Sequence, residues 1–174
     1  AAYYGVFVVI TLYLSNILGF TDIQAATIAG VFSACLYLLP TFSGALADKI
    51  GFRKSMLLAF TLLSLGYLGL GLFPNFLAST GLVEYGYVTK FTGLQESGYR
   101  YGIIPIMILI IVGGSFIKSV ISGTVAKETD EKSRARGFAI FYGMVNIGAF
   151  SGKVLVTPLR DAMGHEGMIV LNYF

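Results

Sequence analysis

The chain is poor in charge. Lys, Arg, Asp and Glu make up 12% of its 174 residues, against about 25% in an average soluble domain. So few charges cannot give a globule a solvated surface. Cysteine is almost missing: Cys35 stands alone, which excludes an internal disulfide framework and a multi-cysteine metal site. His165 is the only histidine, and no cluster of Cys, His and acids surrounds it in the sequence. A metal or nucleophilic active site is therefore not expected, nor a cofactor, and the chain does not read as an enzyme. No G-x-x-x-x-G-K-[ST] loop occurs, which argues against ATP coupling. The net charge of +3 is modest, and nothing suggests nucleic acid.

What is present is oil and glycine: 56% hydrophobic residues and 22 glycines. Small residues at this frequency suit packed membrane helices, whose backbones approach closely. A helix crosses the hydrocarbon with about 20 apolar residues. Runs of this kind occupy residues 1–19, 24–47, 55–73, 103–125 and 137–159. Residues 168–174 read as the opening of a sixth. Lipid leaves backbone polar groups no partner but a helix or a closed barrel, and barrel strands alternate in polarity. These runs do not alternate, so the fold class is an all-α membrane bundle. The first run has neither a basic start nor a small-residue cleavage site, so it does not read as a signal peptide. Its abrupt beginning reads as a piece of something longer.

The connections give an orientation. Lys49, Arg53 and Lys54 lie between the second and third runs; Lys127, Lys132, Arg134 and Arg136 lie between the fourth and fifth. Only Lys90, Arg100 and Arg160 fall to the other side. The positive-inside rule then places loops 48–54 and 126–136 in the cytoplasm. Thr21 and Gln24 have capping-box spacing for the start of the second helix. Residues 74–102 form a longer outer loop of mixed character.

Charges inside spans mark function by default. Lys118, in "GGSFIKSVISG", lies about 10 Å from the cytoplasmic end of its run by helical rise. It can snorkel from there or face a cavity; Ser115 and Ser122 on the same helical face favour a wet cavity. An ammonium there can meet a substrate carboxylate and handle a proton. Lys153 can snorkel outward, or belong to a second polar stripe with Tyr142, Asn146 and Ala149. Interhelical hydrogen bonding is the plainer reading of the tyrosines and Asn146.

The turn between the second and third runs reads Gly44-x-Leu46-Ala47-Asp48-x-x-Gly51-x-Arg53-Lys54. That order resembles the signature turn of the major facilitator superfamily, with Phe52 where a basic residue is usual. The resemblance implies twelve helices in two six-helix halves that rock about a central site. This chain would be most of the N-terminal half, its partner the C-terminal half of the same transporter. Gly44, Asp48, Gly51 and Arg53 would form a cytoplasmic latch, with Asp48 contacting the other half.

A narrower resemblance lies in "FAIFYGMVNIGAF", "GGSFIKS", "AAYYG" and "CLYLLPTFSGALAD". These are similar to the fifth, fourth, first and second helices of proton-coupled oligopeptide transporters. The resemblance implies inward movement of di- and tripeptides with protons as coupling ions. Lys118 would face the peptide carboxylate and take part in proton coupling, Asn146 would hold the amino end, and Tyr3, Tyr4 and Tyr37 would line the pocket. Charge-assisted hydrogen bonds would orient a zwitterion. Phe7 stands where the family has an arginine, and Lys153 has no family counterpart. A facilitator for another solute (a sugar, nucleoside, drug or organic anion) and a non-transporting membrane sensor are the alternatives.

Overall fold

A computed structural model describes residues 9–80 and 98–171. Helix α1 covers residues 9–17 and closes with a wide turn over Tyr13–Ile17. Helices α2 (Asp22–Ile50), α3 (Phe52–Ser79), α4 (Ile103–Glu128) and α5 (Arg134–Leu171) follow. A short 3-10 turn, Gly98–Gly102, leads into α4. Four of these segments are long and apolar enough to cross a membrane: Asp22–Ile50, Phe52–Pro74, Gly98–Glu128 and Arg134–Leu155.

The boundaries follow local chemistry. Thr21 and Gln24 form the expected capping box, each side chain bonded to the other's backbone N–H at 3.3 Å. Helix α2 ends at Gly51, whose φ of 88° and ψ of 144° fall near a region that only glycine occupies without strain. Its N–H donates to the Ala47 carbonyl at 2.9 Å. Glycine in the signature turn therefore reverses the chain within one residue.

Two expected boundaries need correction. Residue 74 does not end the third helix: α3 runs through Pro74 to Ser79. A membrane helix tolerates an interior proline when a neighbour satisfies the carbonyl it frees, and one does here. The missing N–H of Pro74 leaves the Leu70 carbonyl open, and the buried Tyr13 hydroxyl donates to it at 2.9 Å. Likewise, the helical backbone continues past Leu159 to Leu171, so no break separates residues 159 and 168. Charged residues such as Arg160 and Glu166 end an apolar run without ending a helix, because both are good helix formers.

Helix α4 is the hub. It packs on α2 and α3 at once, whereas α5 meets α4 and α3 lightly. Half of the apolar window of α4 is buried, against 6% for α5. Toward α3 the contact is dry and close: a Cβ built on Gly113 would lie 3.0 Å from the Ala59 carbonyl oxygen and 3.1 Å from the Leu63 nitrogen.

The two ends of the bundle are fixed by tertiary contacts. The Lys127 ammonium, near the end of α4, lies 4.5 Å from the ring centroid of Phe52, the first residue of α3. This puts both basic connections at one end. At the other end Arg100 turns inward instead of standing out as a loop charge. It is 9% exposed, donates to the Gly19 carbonyl at 3.2 Å, and stacks its guanidinium 4.8 Å from the Phe20 centroid. A cation at the carbonyl end of α1 suits the local dipole, and the contact ties α1 to the start of α4.

Candidate functional site

The site begins with a proline. Pro40 lies inside α2, has no N–H, and so leaves the carbonyl four residues earlier without its helical partner. That carbonyl belongs to Leu36, the middle residue of the 29 in α2. The Lys118 ammonium of α4 donates to it at 3.3 Å. The same Nζ lies 4.4 Å from the Tyr37 ring centroid, a cation–π distance. Lysine is thus held at mid-helix depth by a backbone dipole and an aromatic face.

One residue on, Ser119 grips α2 again. Its hydroxyl donates to the Pro40 carbonyl at 2.6 Å and shares a hydrogen bond of 3.0 Å with Ser43 Oγ. Close approach makes this possible. Gly114 faces Leu36, where an added Cβ would come within 3.1 Å of Cδ2, and Gly44 faces Ser119. The α2–α4 contact is therefore a polar seam running from Leu36 to Ser43, with Lys118 at its Leu36 end and Ser119 along the rest.

This arrangement answers the snorkelling alternative for Lys118. Helix α4 extends to Glu128, ten residues past Lys118, which is about 15 Å by helical rise. The ammonium reaches across to α2 and not down to the helix end. Lys118 is half-buried and Tyr37 is 76% exposed, so one side of the pair is open. The seam also differs from the wet face first expected. Ser115 is buried and donates to the Val112 carbonyl of its own helix at 2.7 Å, the usual back-bond of a serine inside a helix. Ser119, not Ser115, accompanies the lysine.

The other expected residues are placed as follows. Asn146, Tyr142 and Lys153 are all exposed on α5. Tyr142 packs its ring beside Phe138 and Phe141. Tyr3 and Tyr4 lie outside the described residues. In the turn, Asp48 and Arg53 are exposed, Gly44 faces α4 and Gly51 makes the reversal.

Sequence reasoning missed two participants, the Leu36 carbonyl and Ser119. A proline inside an apolar run was the available signal: it frees an acceptor four residues upstream, and membrane helices need that acceptor satisfied.

Such a bundle, with apolar spans, basic residues gathered at one end and a lysine at mid-depth, defines a polytopic α-helical membrane protein. A family model described as the Major Facilitator Superfamily matches residues 1–159, and the chain belongs to that superfamily. Among curated proteins it is similar to "Dipeptide and tripeptide permease A" of Salmonella typhi, 30% identical over 162 residues, which covers 90% of this chain and 27% of the relative. The protein of the same name from Citrobacter koseri is 29% identical over 177 residues, 98% of this chain and 30% of the relative. That from Proteus mirabilis is 25% identical over 159 residues, 90% and 28% respectively. The chain thus spans 27–30% of the length of these relatives. No solved structure gives a significant match.

Proposed function

We propose that this chain is part of a secondary transporter that carries di- and tripeptides inward with protons by alternating access. The single observation that supports this best is the Lys118 ammonium, held at mid-depth between the Leu36 carbonyl and the Tyr37 ring. Substrate sites of such transporters lie near the bilayer midplane between repeats. A cation there suits a peptide carboxylate through a charge-assisted hydrogen bond. The relatives' printed name, dipeptide and tripeptide permease, agrees with that chemistry.

In this reading Lys118 binds the carboxylate and exchanges the coupling proton. Tyr37, with Tyr3 and Tyr4, shapes the pocket, and Asn146 on α5 receives the amino end. Lys153 is an extra cation on the Asn146 face. The basic end faces the cytoplasm of a cell membrane, and the C-terminal half of the same protein completes the path. Gly44, Asp48, Gly51 and Arg53 act as the cytoplasmic latch: the exposed Asp48 carboxylate is available to the other half. Asp48→Asn is expected to change the turnover rate more than the binding of substrate, and an unchanged rate would count against the latch.

The test uses the full-length protein in proteoliposomes. Labelled dialanine should accumulate under an inward proton gradient and should stop doing so with a protonophore. Failure on dialanine with uptake of another solute would replace the peptide pocket while keeping fold and latch. Phe7 and Lys153 are the residues that favour this second reading. No flux of any solute by a correctly folded protein would point to a sensor.

A further inference from the structure

We infer that Pro40 is a positioning residue for Lys118: by withholding its own N–H, it keeps the Leu36 carbonyl open as the rest position of the lysine ammonium. What this placement does for transport rests on the peptide reading above; the placement itself does not.

Three observations carry the inference. First, the acceptor is the carbonyl that a residue-40 N–H would otherwise engage, and the Lys118 donor stands 3.3 Å from it. Second, α4 holds Pro40 itself: the Ser119 hydroxyl donates to the Pro40 carbonyl at 2.6 Å. Consecutive residues 118 and 119 therefore take two carbonyls one helical turn apart, which fixes the register of α4 against α2. Third, the same device recurs in this chain. Pro74 frees the Leu70 carbonyl, and the Tyr13 hydroxyl from another helix occupies it at 2.9 Å. In both places a proline inside a helix exports one acceptor to a donor on a neighbouring helix, as the bilayer's lack of water demands.

The consequence is specific. A lysine at this depth can snorkel toward water at the helix end, and the bond to the Leu36 carbonyl holds the ammonium back from it. With Leu36 open it rests beside Tyr37 instead, on the half-exposed side of the seam. A peptide carboxylate arriving there replaces a neutral dipole with a full charge, a stronger partner for the ammonium. Pro40 thereby sets where the cation waits without touching substrate.

The decisive experiment reads Lys118 directly. Purified full-length transporter is pulsed with acetic anhydride at fixed pH, and acetylation of Lys118 is measured by peptide mass spectrometry. In Pro40→Ala the restored N–H competes for the Leu36 carbonyl, so the Lys118 ammonium is held there less firmly and meets the reagent more often. Labelling should rise by about tenfold, the scale of one hydrogen bond to a charged group. A variant with an ester linkage at position 40 (lactate in place of proline) has no ring and no donor. It should label like the unaltered protein, as should Pro74→Ala, which alters the proline beside Tyr13. Equal labelling of Pro40→Ala and the unaltered protein overturns the inference, and so does raised labelling in the ester variant. If Pro40→Ala does not yield folded protein, Pro40→Leu, which restores the same N–H with a good helix former, is read by the same criterion. Dialanine uptake is followed in parallel. A labelling change in a protein that carries no dialanine retires the peptide reading and keeps the role of Pro40.

Discussion

The two faces of α4 are built from different material. Toward α3 it presents Gly113 and isoleucines against Ala59, Leu63 and Gly66, a dry contact of backbone on backbone. Toward α2 it presents Lys118 and Ser119 against Leu36, Pro40 and Ser43, a contact made by polar atoms. Each partner helix also carries a proline, and the two are settled differently. The carbonyl freed by Pro74 is closed by a neutral hydroxyl whose residue is 1% exposed. The carbonyl freed by Pro40 is held by an ammonium that is half-buried beside an exposed tyrosine. A neutral, sealed bond is finished structure. A charged bond with an open side can be exchanged for a ligand, and this is why the α2 side is read as the site and the α3 side as its support.

The largest expected effect tests that contrast. Lys118→Ala should abolish proton-driven uptake by the full-length protein while its melting temperature in detergent stays near that of the unaltered protein. Normal driven uptake would remove Lys118 from the mechanism. On the dry face the reverse holds. Gly113→Ala adds a Cβ against two backbone atoms near 3 Å, and overpacking of this kind costs about 1–3 kcal/mol. Gly44→Ala, on the polar face, meets Ser119 Cβ at an ordinary 3.6 Å and should leave the melting temperature unchanged. Similar losses of stability in the two glycine variants would mean that the faces do not differ in tightness.

A smaller effect separates the two prolines. Tyr13→Phe leaves the buried Leu70 carbonyl unpaired, at a cost of about 1–3 kcal/mol. In a Pro74→Ala background the restored N–H satisfies that carbonyl, so the same tyrosine change should cost much less. This is a double-mutant cycle between contacting groups, where additivity is expected to fail. An additive result would break the shared explanation of both proline junctions.

Much of this architecture was legible in the sequence because the bilayer leaves few options. Apolar runs located α2, α3, α4 and α5, though the run at 168–174 opens no separate helix among the described residues, and T-x-x-Q located the start of α2. Errors fell where hydropathy and helix formation part company. Helix α2 begins two residues before its apolar run and ends three after it, because capping and charged residues continue a helix into the interface. Pro74 did not stop α3, because a tyrosine 61 positions earlier supplies the missing donor. The candidate site was half legible. Lys118 and Tyr37 stand out as letters, whereas the Leu36 carbonyl has no letter, since every residue carries one. Arg100 has the look of a loop charge, and only tertiary structure brings Gly19 and Phe20 around it.

The smallest effect concerns the residue by which the turn departs from its family pattern. Phe52 occupies a position where a basic side chain is usual, and it docks on the end of α4. A Cβ on Gly123 would lie 3.1 Å from its ring, and the Lys127 ammonium rests 4.5 Å from the ring centroid. A phenylalanine there extends the dry α3–α4 contact to the basic end and turns one of the seven cations toward the protein. Phe52→Lys would remove the ring and set two cations side by side. The lost cation–π contact is worth about 0.5–1 kcal/mol at an exposed site, and the new repulsion is screened by salt. The variant should therefore melt slightly lower at low ionic strength and recover partly in high salt. Transport should persist, because Phe52 supports the face of α4 opposite to Lys118. A loss of uptake as deep as that of Lys118→Ala, in a protein still folded, would show that the dry face is part of the working mechanism and that the division between site and support is wrong.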